Sequence, residues 1–135
     1  MAMEIHYAED TALDPDEFLD LARRVWPRDY DREHVREALR RTINIVARSD
    51  GRIVGCARIL SDGYFFGTIP EILVDPAVQR QGIGRALMEM VRQRSPTSLF
   101  FGAQPGNEAF FEKLGCERGM TSFVLRKPAE GTRRA

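Results

Sequence analysis

Between Ile69 and Leu87 the chain sets two carboxylates, two arginines and two closely spaced glycines in a strand, loop and helix context. Gly82 and Gly84, separated by one residue, allow a tight turn whose N–H groups point the same way. A helix starting there adds orphan amides and a positive dipole end. Such a turn is a pyrophosphate cradle, and Arg80 and Arg85 bring charge for further phosphate oxygens. Upstream, Pro70 interrupts a strongly β-forming run, and proline is tolerated in sheets mainly at bulges and edges. A bulge there would splay this strand from its neighbour and leave amides for a ligand. Glu71 follows the kink and is a candidate general base. Each feature also has a structural reading: a plain strand-to-helix turn, and a surface glutamate at a strand end.

The phosphate ligand is narrowed by what is missing from the loop. No Lys-Ser or Lys-Thr follows Gly84, which disfavours a nucleotide-hydrolysing P-loop. Leu87 stands where a dinucleotide fingerprint needs its third glycine, and too little chain follows for such a domain.

The elements that must position this segment read as follows. Ile5 and Tyr7 alternate in a short first strand. Asp14-Pro15 opens a helix with Phe18, Leu21, Ala22 and Val25 inward, and a second helix follows Asp31 with Val35, Ala38 and Leu39 buried. Strands at 44–48 and 52–60 flank the hairpin signal Ser49-Asp50-Gly51. A long strand at 64–74 precedes the loop, and a helix with Ala86, Leu87, Met90 and Val91 inward follows it. A strand at 98–103, a helix at 107–114 stopped by Gly115, and a closing strand at 121–126 complete the order. This predicts an α/β mixed sheet with helices on its faces.

The 135 residues suit one domain, taken as 1–127 with a polar tail at 128–135. Lys plus Arg is 20 and Asp plus Glu is 20, so no basic footprint for nucleic acid or an anionic membrane exists. No apolar run approaches the roughly 20 residues of a bilayer span. The opening Met1-Ala2-Met3-Glu4-Ile5-His6 lacks signal-peptide features, so a cytoplasmic location is expected. Cys56 and Cys116 have no CxxC spacing and read as buried reduced thiols. With only His6 and His34 besides, no metal is expected.

Gln79-Arg80-Gln81-Gly82-Ile83-Gly84 resembles the Q/R-x-x-G-x-G/A motif of the GCN5-related N-acetyltransferases (GNATs), which bind acetyl-CoA. Glu71-Ile72-Leu73-Val74-Asp75-Pro76 looks like that family's fourth strand, and Phe110-Phe111-Glu112-Lys113-Leu114-Gly115-Cys116 like its later F-Y-E-K-x-G-F segment. Element order agrees from Glu4 to Arg126. The pairing of Arg58 to Gly63 with the acidic fourth strand is similar to compact small-amine acetyltransferases. The resemblance implies six to seven strands with a splay at the fourth, four helices, and acetyl-CoA as co-substrate. It further implies that amides from Gln81 to Arg85, with Gln79 and Arg80 beside them, hold the CoA pyrophosphate. Leu73 and Val74 would pair with the pantetheine arm, the Leu73 amide pointing at the thioester carbonyl, where it would stabilise an oxyanion. Glu71 matches the acidic position and would accept the amine's proton.

Two departures stand out. Phe111 occupies the place of the family's thiolate-protonating Tyr, and Gln104 that of an Asn; Asn107 either contacts CoA or caps its own helix. The implied activity is direct acetyl transfer to a primary amine of a small molecule or peptide, since neither cysteine is placed as a nucleophile. The alternative, supported by Phe111, is a non-catalytic acyl-CoA-binding module. Trp26 and Tyr30, in the connection that forms the family's acceptor wall, and Phe66 are candidate substrate contacts, while Phe65, Phe100 and Phe101 read as core. Aromatic walls with one carboxylate suit an aromatic or hydrophobic amine. A homodimer is left open.

Overall fold

A computed structural model describes residues 4–128, which fall into two compact units divided between Phe101 and Gly102. Apart from Pro128, the expected tail lies outside the described residues.

The first unit is a twisted sheet with helices on both faces. Strand β1 (His6–Glu9) pairs antiparallel with β2 (Ile43–Ser49), and β2 with β3 (Arg52–Ser61). The β2–β3 hairpin closes with Asp50 at φ 51° and Gly51 at φ 78°, the two left-handed positions of a type I′ turn. Between β1 and β2 lie α1 (Pro15–Val25) and α2 (Arg32–Arg40). Asp14 and Asp31 cap them through side-chain oxygens that accept from Asp16 and from Glu33 and His34, satisfying N–H groups the helices leave open. Phe18, Leu21, Ala22 and Leu39 turn inward onto Val46, Cys56 and Leu73 of the sheet. The other face is covered by α3 (Ile83–Arg94), which presses so closely that a Cβ on Gly55 would stand 2.9 Å from Ile83 Cγ2.

The run at 64–74 is not one strand. β4 (Gly67–Thr68) and β5 (Ile72–Val74) both pair with β3, but in different registers. Leu60 faces Thr68, whereas the Arg58 N–H donates to the Glu71 carbonyl. Ile69 and Pro70 therefore stand together opposite Ile59, a bulge caused by a proline that cannot donate to the ladder. Tyr64 to Phe66 belong to the preceding turn. Residues 98–101 form no strand; the Phe100 N–H donates to the Gly67 carbonyl at 2.9 Å. Among the described residues the sheet thus has five strands, where six to seven were expected.

In the second unit α4 (Glu108–Lys113) ends in a Schellman motif: Gly115, at φ 89°, donates to Glu112 and Cys116 to Phe111. Thr121 to Arg126 form no strand, and Phe123 and Leu125 are exposed. β-propensity expresses packing against neighbours more than backbone preference, so the composition of this segment did not suffice.

Candidate active site

The bulge at Pro70 decides what β5 can offer. Arg58 pairs with Glu71, Cys56 with Leu73 and Val54 with Asp75 across β3 and β5. In an antiparallel ladder these alternate residues point their N–H and C=O at the partner strand. Ile72 and Val74 therefore point theirs at the outer edge, where β5 has no ladder partner among the described residues. The Gln79 side chain confirms the direction, donating to the Val74 carbonyl at 3.2 Å. This corrects the expectation for Leu73: its amide faces Cys56 and its side chain lies in the core. The open edge is formed by Ile72 and Val74.

That edge runs straight into the loop. Asp75, buried, accepts from the Ala77 N–H and starts a 3₁₀ turn at Pro76–Val78. Arg24 of α1 pairs with the Asp75 carboxylate and donates to the Ile53 carbonyl, pinning the loop's first residue to helix and sheet. Gln79, Arg80, Gln81 and Gly82 are exposed. Arg80 has φ 68° and Gly82 φ 84°, left-handed conformations that turn successive N–H groups toward one side. Gly82 caps α3 with no side-chain hydrogen bond, and the first turn carries no acidic residue. The amides of Ile83, Gly84 and Arg85 thus have neither a side-chain cap nor an opposing carboxylate, and no ion pair engages Arg80 or Arg85 among the described residues. The loop suits a diphosphate.

At the other end of β5, Glu71 makes a bidentate ion pair with Arg58, Nε donating to Oε2 and Nη2 to Oε1 at 2.9 Å. Side-chain exposure is 14% for Arg58 and 13% for Glu71. The guanidinium also lies 5.9 Å from the Phe18 ring centre. Burial is the largest single influence on Arg58 and would loosen its proton; the hydrogen bond and the charge of Glu71 together outweigh it, and the pKa sits above its ordinary value. Neighbouring Cys56 is fully buried, and its thiol is pushed up to about 12, first by burial and then by Glu71. It is no nucleophile.

The expected acceptor residues do not all converge on Glu71. Helix α1 brings Phe18 under Arg58 but Arg24 to Asp75. Trp26 therefore lies at the loop end of β5, roughly 12 Å along the helix from Phe18. The Tyr30 hydroxyl donates to the Trp26 carbonyl, and its ring packs on the core. Phe66 stands opposite Asp62 at the other end of the ladder from the loop, on the Glu71 side of the bulge, stacked on Phe100. Phe65 and Phe100 are 89% and 49% exposed, not core. Asn107 and Phe111 belong to the second unit: Asn107 precedes α4 without a side-chain cap bond, and Phe111 meets Phe110 edge to face. Sequence reasoning gave Arg58 no role, because its pairing with Glu71 depends on a bulge whose length only the register fixes.

Comparison with known proteins decides the family. A domain model described as an acetyltransferase (GNAT) domain matches residues 7–124. The chain belongs to the GNAT acetyltransferase family. Among GNAT relatives, a mycothiol acetyltransferase from Clavibacter michiganensis is 38% identical over 87 residues, covering 61% of this chain and 28% of the relative. The chloroplastic serotonin N-acetyltransferase 2 of Oryza sativa is 31% identical over 94 residues, covering 62% and 47%. The chain thus spans less than half the length of either. An aminoglycoside N-acetyltransferase solved with CoA superposes with a TM-score of 0.71 at 15% identity, covering 96% of this chain and 98% of that one, and shows the shared fold. No helix among the described residues is long and apolar enough to cross a membrane, and no cluster there could hold a metal ion.

Proposed function

We propose that this GNAT protein is an acetyl-CoA-dependent N-acetyltransferase that moves an acetyl group directly to a primary amine. The observation carrying this reading is the open edge of β5, which starts at the Pro70 bulge and ends at an uncapped helix N-terminus. A coenzyme bound there would supply the acyl group as a thioester. Ile72 and Val74 would hold its pantetheine arm by strand-like hydrogen bonds, and the loop amides with Arg80 and Arg85 its diphosphate.

Glu71 acts on the acceptor. An amine with a pKa near 10.4 is mostly protonated at neutral pH, and its neutral form costs about 4.6 kcal/mol at pH 7. Glu71 receives that proton, directly or through a water. Both its oxygens already accept from Arg58, so the guanidinium fixes the carboxylate's orientation. The thiolate's leaving ability is tolerable without a dedicated acid, a thiol pKa being about 8.5. An amine panel followed by free-thiol release tests the reading. Turnover that is lost in Glu71→Gln supports it; coenzyme binding without turnover of any amine favours the non-catalytic module, which Phe111 suggests. A reducing, cytoplasm-like compartment fits the unpaired Cys56 and Cys116.

A further inference from the structure

Beyond the ion pair, the sheet face that carries Glu71 runs on to β4, against which no helix among the described residues packs closely. Gly55 faces α3, so by alternation Cys56, Arg58 and Leu60 face the α1 side. Across the ladder Thr68 faces Leu60, and Phe66, two residues earlier, shares its side. Opposite orientation is excluded for Phe66, because a Cβ on Gly67 would meet Leu99, Thr97 and Ser61 on the α3 side. The Phe100 ring lies parallel to Phe66, centroids 5.7 Å apart and planes 3° from coplanar. Leu60, Phe66 and Phe100 are 45%, 53% and 49% exposed. They form an apolar shelf whose near edge, Leu60, is a diagonal neighbour of Glu71, about 7–8 Å away.

We propose that this shelf receives the planar apolar arm of the acceptor, making the natural substrate a primary amine with an aromatic or flat hydrocarbon group a short linker from the nitrogen. This deepens the reading of Glu71 as base and rests on it. With the nitrogen at Glu71, an arm of two or three bonds sets its ring over Leu60, the near edge of the shelf, and the Phe66–Phe100 pair continues the apolar surface beyond it, Phe66 standing opposite Asp62. The shelf side chains, Leu60, Phe66 and Phe100, offer a second ammonium no acceptor, which favours an apolar arm over a polyamine's. Beside them, Asp62 accepts through Oδ1 from the amides of Tyr64, Phe65 and Phe66 at 2.9, 2.8 and 3.0 Å. The same three bonds fix the turn, so the Phe66 ring is presented in a set orientation without further ordering.

Acetyl transfer to 2-phenylethylamine, propylamine and spermidine is compared in the full chain and in Phe66→Ala and Leu60→Gln. The expected result is a kcat/KM at least tenfold higher for 2-phenylethylamine than for propylamine or spermidine, falling toward parity in both variants. A second arm omits coenzyme: saturation transfer to the 2-phenylethylamine ring protons, strong with the unmodified chain and several-fold weaker with Phe66→Ala. Equal rates for all three amines, a spermidine preference, or variants that keep the discrimination overturn the proposal. Ring saturation that persists in a protein failing to bind coenzyme would leave the shelf standing and remove the acetyltransferase reading instead.

Discussion

Arg58 and Glu71 face each other across β3 and β5 in a bidentate ion pair whose side chains are only 14% and 13% exposed. Two consequences follow, one for stability and one for catalysis. Removing one member of a buried pair strands the other charge. Arg58→Met is expected to cost about 3 kcal/mol, a fall in Tm of roughly 10 °C for a chain of this size. Replacing both residues, Arg58→Met with Glu71→Leu, should recover most of it. Urea denaturation of the three proteins checks this, and an Arg58→Met protein as stable as the parent would show the pair to be idle.

Glu71→Gln keeps the shape and one acceptor for Arg58 but cannot take a proton. The expected outcome is a fall of about 100-fold or more in kcat/KM near pH 7, with little change in coenzyme affinity. Steady-state rates beside coenzyme titration separate the two, and a fully active Glu71→Gln protein would move the proton transfer elsewhere.

Cys56 and Cys116 should differ in reactivity. Burial pushes the Cys56 thiol up to about 12, so it stays neutral and shielded throughout the physiological range. Cys116 is half-buried. Disulfide-exchange reagent at pH 8 is expected to modify Cys116 well before Cys56, with Cys56 reacting only after denaturant is added. Rapid modification of Cys56 in the folded protein would contradict its place in the core.

The Asp62 turn should carry a pH signature. Hydrogen bonds from Phe66, then Tyr64 and Phe65, hold its pKa below the ordinary carboxylate value. A depressed folded pKa gives stability that is present above the unfolded value, near 3.9, and lost as pH falls through the folded one. Asp62→Ala should therefore be less stable than the parent at pH 7, with the gap closing as pH drops below 4. Denaturation curves at pH 7 and pH 3 measure it; a gap that widens in acid has the wrong sign.

Much of the first unit was legible in the sequence because its signals are local. Asp14-Pro15 and Asp31 each begin a helix, and Ser49-Asp50-Gly51 closes the hairpin, since capping and turn chemistry act within a few residues. The Pro70 bulge was readable too, because proline lacks a donor. Its consequence was not: which amides face outward depends on register, and Leu73 and Ile72 exchange roles on a one-residue count. The pairing of Arg58 with Glu71 was hidden for the same reason. Phe65 and Phe100, apolar by type, are exposed because Phe65 sits in the turn after β3 and Phe100 on a segment that forms no strand, facts of tertiary layout. Strands at 98–103 and 121–126 failed to appear because strand formation needs a partner edge as well as composition.

The open β5 edge and the loop after it are central, and titration calorimetry of coenzyme A tests them most directly. The unmodified chain is expected to bind with a dissociation constant on the order of micromolar, about −8 kcal/mol. Gly82→Asp, which places a side chain and a negative charge at a φ 84° position in the loop, is expected to abolish binding. No heat from the unmodified chain at millimolar coenzyme, or equal binding by Gly82→Asp, would contradict the account.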